Sequence, residues 1–209
     1  MAQRLPGPPV LVITDRHQAK RPLEEIATAL FAAGCRWLSV REKDMPAGER
    51  RALLVRLVAL GGKYGATVAV HDDLDAAATL GLGIHLPAQG SITAARRILG
   101  PGALVGISAH SVEDVAEAVG MGADYATLSP IFPTSSKPGY GPALGLDILG
   151  CADQIPLLAL GGVDAAKAAS CIAAGAAGVA VMGEAMRAPD QRGFMADLLS
   201  RLPPRLVAS

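Results

Sequence analysis

Eight short apolar runs, each followed by a stretch of helical spacing, recur along this chain, and that alternation constrains the fold more than any single motif. The runs lie at 10–14, 37–40, 67–70, 84–86, 104–107, 125–128, 157–160 and 178–181. They are nearly continuous in aliphatic and β-branched residues, as strands buried on both faces are. The spacing predicts helices over 23–33, 47–64, 74–80, 92–99, 112–119, 146–151, 165–174 and 191–202. In the second of these, Leu53, Leu54, Leu57 and Leu60 share one face. Gly34, Gly65, Gly122 and Gly175 stand where helices stop, and Ser111 is a candidate N-cap. Eight strand–helix units in 209 residues predict an α/β chain folded as a single (β/α)8 TIM barrel. Residues 1–9 read as a loosely packed N-terminal tail and 10–209 as the barrel domain. A doubly wound sheet would need only five or six strands. Nor does a Gly-x-Gly-x-x-Gly follow the first strand, where Thr14-Asp15-Arg16-His17 stands instead.

Composition narrows the partners. A formal net charge of zero argues against nucleic acid or an anionic membrane surface as a bulk partner. Hydrophobic residues make up 51% and charged residues 18%, yet Gly or charge interrupts every long apolar run before transmembrane length. Met1 to Pro9 is too polar and proline-rich for a secretory leader, so a cytoplasmic protein is expected. Cys35, Cys151 and Cys171 are widely spaced and odd in number, which suits small core residues better than a disulfide framework or metal site.

In a barrel, function gathers where the strands end at their C-terminal side. Those positions are Thr14-Asp15-Arg16, Arg41-Glu42-Lys43-Asp44, His71-Asp72-Asp73, His85-Leu86-Pro87, Ser108-Ala109-His110-Ser111, Ser129 to Gly141, Gly161-Gly162 and Met182-Gly183. Arg41 and Lys43 occupy alternate positions, so both can face the mouth. The glycine turns after the seventh and eighth strands are suited to phosphate held by backbone N–H groups. The segment from Ser129 to Gly141 sets Thr134, Ser135, Ser136 and Lys137 in a glycine-bounded loop suited to closing over an anion. His85, among Leu82, Ile84 and Leu86, reads as a satisfied core or rim histidine, and His17 has no assignable role.

Several of these motifs together resemble the thiamine phosphate synthase and TenI superfamily of barrels over essentially the whole chain. The matches include Ile13-Thr14-Asp15-Arg16, Arg41-Glu42-Lys43, Gly106-Ile107-Ser108-Ala109-His110-Ser111 and Gly122-Ala123-Asp124-Tyr125. Further along come Pro130-Ile131-Phe132-Pro133-Thr134 with Lys137, Leu160-Gly161-Gly162, and Gly175 through Met182. The resemblance implies thiazole phosphate or thiamine phosphate as ligand, with its phosphate near Gly161, Gly162, Met182 and Gly183. Substrate contacts are expected from Arg41, Lys43, His71, Ser108, Thr134 and Lys137.

Two chemistries remain open under that resemblance. A synthase joins a pyrimidine diphosphate to thiazole phosphate with magnesium, which Asp72 would ligate. Four departures weaken this reading: Ser39 stands for the usual Gln, His71-Asp72-Asp73 for Asn-Asp-Arg, and Gly183 for a serine. The stretch Leu86-Pro87-Ala88-Gln89-Gly90-Ser91 also lacks the usual acid. A TenI-like tautomerase aromatises a thiazole carboxylate phosphate with no metal or other cofactor, and His110 matches the histidine assigned to its proton transfer. The tautomerase is the favoured expectation, the synthase the alternative, and a non-catalytic binder of either phosphate the third. Apolar barrel helices make a homodimer plausible.

Overall fold

A computed structural model describes residues 5–134, 142–151 and 155–203. Eight parallel strands close into a barrel in sequence order: β1 (Val10–Ile13), β2 (Trp37–Val40), β3 (Thr67–His71), β4 (Gly83–Leu86), β5 (Val105–Ala109), β6 (Tyr125–Leu128), β7 (Leu157–Ala159) and β8 (Gly178–Val181). Closure is direct, with Val10, Leu11 and Val12 of β1 opposite Val179, Ala180 and Val181 of β8. Around them stand α1 (Leu23–Ala32), α2 (Ala47–Lys63), α3 (Leu74–Leu80), α4 (Ile92–Leu99), α5 (Val112–Met121), α6 (Ala165–Ala173), α7 (Gly183–Arg187) and α8 (Gln191–Ser200), with a 3₁₀ turn at Asp147–Cys151 after β6.

The near-continuous apolar strands have a simple cause: each is covered twice. One face packs outward on the helices through residues such as Val10, Val12, Leu38, Val40 and Val70. The other fills the barrel through Leu11, Ile13, Trp37, Tyr125, Leu158 and Ala180. Trp37 and Tyr125 meet edge to face with centroids 4.8 Å apart and plug the lower barrel. Leu5 packs on that inner cluster, Pro8 and Pro9 are buried, and the Pro9 carbonyl accepts from Val179 N at 3.0 Å. Residues 5–9, expected to be loosely packed, therefore close the barrel floor.

Boundaries shift where ladder pairing outlasts the apolar pattern. β3 runs on to His71 and β5 to Ala109, since inward polar residues near the mouth still join the ladder. The helix expected over 146–151 is a 3₁₀ turn, and α7 was not foreseen. Ser111 does cap α5, accepting from Asp114 N. Cys35 and Cys171 are buried, Cys151 is half-buried, and all three are free thiols. No helix among the described residues is long and apolar enough to cross a membrane.

Candidate active site

The strand ends enclose one cavity at the C-terminal mouth of the barrel, and most of the expected residues meet there. Its wall includes Arg41 and Lys43 after β2, His71, His85, Ser108, His110 and Thr134. Gly161 and Gly162 after β7, and Met182 and Gly183 after β8, complete it. Asp72 is not part of the wall, and Lys137 lies outside the described residues.

The cationic side is fastened from behind. Arg41 N donates to Thr14 Oγ1 at 2.9 Å, and that hydroxyl donates to Glu42 Oε1 at 2.7 Å. Glu42 is buried, and its Oε2 accepts from Arg16 N and Nη1, each at 3.2 Å. Strand alternation accounts for the division of labour: Glu42 turns behind the loop while Arg41 and Lys43 turn into the mouth. Arg16 also forks onto Asp44 through two 2.7 Å bonds, with His17 Nε2 2.8 Å from the same carboxylate. Those hydrogen bonds, from Arg16 first and His17 second, hold the Asp44 carboxyl well below the usual carboxylate range.

The two acids after β3 serve cations nearby, Lys43 and Arg50. Asp72, at φ +57°, places its carboxylate 3.3 Å from Lys43 Nζ. Asp73 caps α3 by accepting from Ala76 N at 2.9 Å and takes Arg50 through bonds of 2.9 and 2.6 Å. Burial pushes the Asp73 carboxyl up, but the Ala76 amide and the Arg50 guanidinium outweigh it and leave it below its usual range. Glu184, which the sequence did not single out, lines the cavity and pairs with Arg187 at 2.6 Å.

On the other side the backbone does the work. Gly161 (φ +89°) and Gly162 (φ +66°) both take the left-handed conformation. A Cβ on Gly161 would lie 2.7 Å from Pro130 Cα, and one on Gly162 would lie 2.5 Å from the Pro133 carbonyl oxygen. Phe132 N donates to the Gly161 carbonyl at 3.0 Å, so turn and loop pack as a unit. Lys167 Nζ clamps it, donating to the Gly162 carbonyl and to Asp164 Oδ2 at 2.9 Å each, 5.2 Å over the Phe132 ring. Met182 is the N-cap of α7, so the first N–H groups of that helix lie beside the cavity without intrahelical acceptors.

Between the two sides lie the histidines. His110 Nδ1 is 2.7 Å from the Ser129 carbonyl, which can only accept, so Nδ1 carries the proton and the neutral ring keeps its lone pair on Nε2. His110 N donates to Asp114 Oδ2 at 2.6 Å, fixing the start of that loop. His85 is satisfied, as the sequence suggested, lying 3.1 Å from both Tyr125 Oη and Ser108 Oγ. Burial, with a smaller effect from the Lys43 charge, pushes its imidazole down to about 3, so it is neutral at pH 7.

The sequence profile described as "Thiamine monophosphate synthase" matches residues 10–185. The chain belongs to the thiamine monophosphate synthase family. A thiamine-phosphate synthase of Roseiflexus sp. strain RS-1 is 39% identical over 188 residues, covering 87% of this chain and 79% of that one. One from Salinispora tropica is 38% identical over 199 residues, covering 91% and 95%. A Geobacter sulfurreducens protein, carrying that name only provisionally, is 40% identical over 200 residues, with 93% and 94% covered. Among solved structures, thiamine phosphate pyrophosphorylase from Pyrococcus furiosus superposes with a TM-score of 0.82 at 30% identity, covering 92% and 94%. Family membership makes the chain an enzyme of thiamine biosynthesis. The tautomerase expectation finds no support among these relatives, whose names are those of the synthase.

Membership of the family implies magnesium. No group of three or more His, Cys, Asp or Glu among the described residues could hold a metal ion. Asp72 is engaged by Lys43, Asp73 by Arg50 and its helix cap, and Glu184 by Arg187. These residues do not form a resident magnesium site.

Proposed function

We propose that this enzyme is a thiamine-phosphate synthase, joining a pyrimidine diphosphate to thiazole phosphate. One observation carries the reading: a single cavity has side-chain cations on one wall and a glycine cradle on another. It can thus receive two anionic substrates at once. The thiazole phosphate would sit on the backbone N–H groups of Gly161, Gly162 and Gly183, beside Met182. Arg41 and Lys43 would receive the diphosphate, with Thr134 and Lys137 contributing from the loop after β6. Ser108 and His71 would contact the rings between. In the reaction the thiazole nitrogen lone pair forms a bond to the pyrimidine methylene carbon, while the carbon–oxygen bond to the diphosphate breaks. The departing oxygen takes that electron pair. Fixed cations favour this step because they meet charge that grows on the leaving group.

A second reading rests on His110. Its ring lines the cavity with Nδ1 held by the Ser129 carbonyl, an arrangement suited to moving a proton at Nε2. In that case the enzyme aromatises a thiazole carboxylate phosphate, and Arg41 or Lys43 holds the carboxylate. The deciding assay mixes the pyrimidine diphosphate and aromatic thiazole phosphate with excess magnesium and follows thiamine phosphate, with a known synthase as control. Turnover comparable to the control is expected. Its absence, together with conversion of the thiazole tautomer that His110→Ala abolishes, would replace the synthase reading with the second.

A further inference from the structure

The barrel interior beneath the cavity holds a buried polar chain that ends at Ser108, and the members behind Ser108 take no part in the reading above. Tyr125 enters from the lower end of β6, and its ring crosses the barrel over Gly106, where an added Cβ would lie 2.0 Å from the ring. Only glycine at that position leaves the passage open. The Tyr125 hydroxyl lies 3.1 Å from His85 Nδ1, and His85 Nε2 lies 3.1 Å from Ser108 Oγ, with Thr127 Oγ1 at 3.3 Å. Tyr125, His85 and Thr127 are fully buried, while Ser108 is half-buried and reaches the cavity wall.

Directions follow from what each atom can do. His85 Nδ1 is the one hydrogen-bond partner of the phenol among the described residues, so the phenol proton belongs on that bond. Nδ1 then accepts, and the neutral ring must carry its own proton on Nε2. That proton faces Ser108 Oγ at 3.1 Å and Thr127 Oγ1 at 3.3 Å; Ser108, the nearer, accepts it, and its own hydroxyl proton is left to point away from His85. We propose that Tyr125 and His85 are positioning residues that fix Ser108 as a hydrogen-bond donor to an acceptor atom of the bound ligand's ring. A hydroxyl left to rotate would offer donor and acceptor alternately; the relay removes the choice, and with it the cost of making it on binding.

The groups facing His85 are compatible with a permanently neutral ring. His71 of β3 lies tilted at 5.0 Å between centroids, Tyr125 of β6 lies 5.5 Å away, and Lys43 of the loop after β2 is the cation that opposes protonation. No carboxylate among the described residues makes a hydrogen bond or ion pair to its ring.

The proposal rests on the thiazole phosphate reading for the ligand but not for the tautomer, and its test separates the two. Long-range ¹H–¹⁵N correlation on the full-length protein, with His85→Gln to assign the signals, reports which imidazole nitrogen carries hydrogen. A neutral Nε2–H tautomer unchanged from pH 5 to 8 is expected, and it should shift in Tyr125→Phe. An Nδ1–H tautomer, or a ring titrating near its ordinary value, overturns the relay whatever the enzyme's substrate proves to be. Thiazole phosphate affinity by calorimetry tests the rest. Tyr125→Phe and Ser108→Ala should each weaken binding roughly 3- to 10-fold, the worth of one neutral hydrogen bond, and the double variant no more than either. Multiplying losses, or a Tyr125→Phe loss undiminished in the Ser108→Ala background, overturn the proposal. If the wild type binds no thiazole phosphate, the functional reading fails and the tautomer measurement alone decides the relay.

Discussion

Replacing Gly162 by alanine separates two costs that usually arrive together, because Gly81 provides a matched control. Both glycines are left-handed at nearly the same angle, φ +66° and φ +64°. Around Gly81, the C-terminal cap of α3, an added Cβ meets nothing within 4 Å. Around Gly162 it would stand 2.5 Å from the Pro133 carbonyl oxygen and 2.8 Å from Phe132 Cβ. An L-residue in this conformation costs roughly 1–2 kcal/mol. That is the whole expected loss for Gly81→Ala. Forcing a methyl into packed surroundings adds about 1–3 kcal/mol, giving Gly162→Ala a loss on the order of 2–5 kcal/mol. At roughly 2–4 °C per kcal/mol for a chain of this size, Gly81→Ala should melt ~2–8 °C below wild type and Gly162→Ala ~4–20 °C below. Circular dichroism melts at one scan rate provide the comparison. Because relief at Gly162 requires the turn to move off the loop after β6, thiazole phosphate affinity should also fall by about tenfold or more, while Gly81→Ala keeps wild-type affinity. Two variants melting within about 2 °C of one another would refute the steric part. An unchanged affinity in Gly162→Ala would refute the cradle.

Other consequences are as direct. Asp73→Asn should cost about 1–3 kcal/mol at pH 7, since it weakens both a helix cap and a two-bonded arginine partner. The Asp73 carboxyl is held below its unfolded value, so its contribution is complete above about pH 4 and fades as pH falls through the folded value. Chemical denaturation at pH 7 and pH 3 should therefore show the gap between Asp73→Asn and wild type narrowing in acid; a constant gap would contradict this. Glu42→Gln keeps the shape but removes the charge that Arg16 and Thr14 bond to, so kcat/KM should drop roughly 3- to 30-fold as the support behind Arg41 weakens; an unaltered value would mean Arg41 orients itself. Burial pushes the Cys35 and Cys171 thiols up to about 11, so a thiol reagent at pH 8 should reach Cys151 first and the other two only on unfolding. Equal labelling of all three in the native protein would count against the packing described.

The alternation of strand and helix was legible in the sequence because a parallel barrel buries each strand on both faces, and that leaves short, unbroken apolar runs. The positions of Arg41, Lys43, Ser108, His110 and the glycine turns were legible for a related reason: strand ends in a closed barrel converge whatever their separation along the chain. Alternation could not say what stands behind them. That Thr14 and Glu42 fasten Arg41, that Asp72 answers Lys43 while Asp73 answers Arg50, and that Tyr125 reaches His85 across Gly106 are contacts between residues far apart along the chain, from 23 positions for Asp73 and Arg50 to 40 for Tyr125 and His85. Each depends on barrel register and on which way a side chain leaves its strand, quantities fixed only when all eight strands have closed. Residue order alone was enough to set the ring of strand ends and the residue types presented there. Which charges pair with one another and which face the cavity was settled by closure of the barrel, because pairing depends on distances of a few ångströms that linear spacing does not encode.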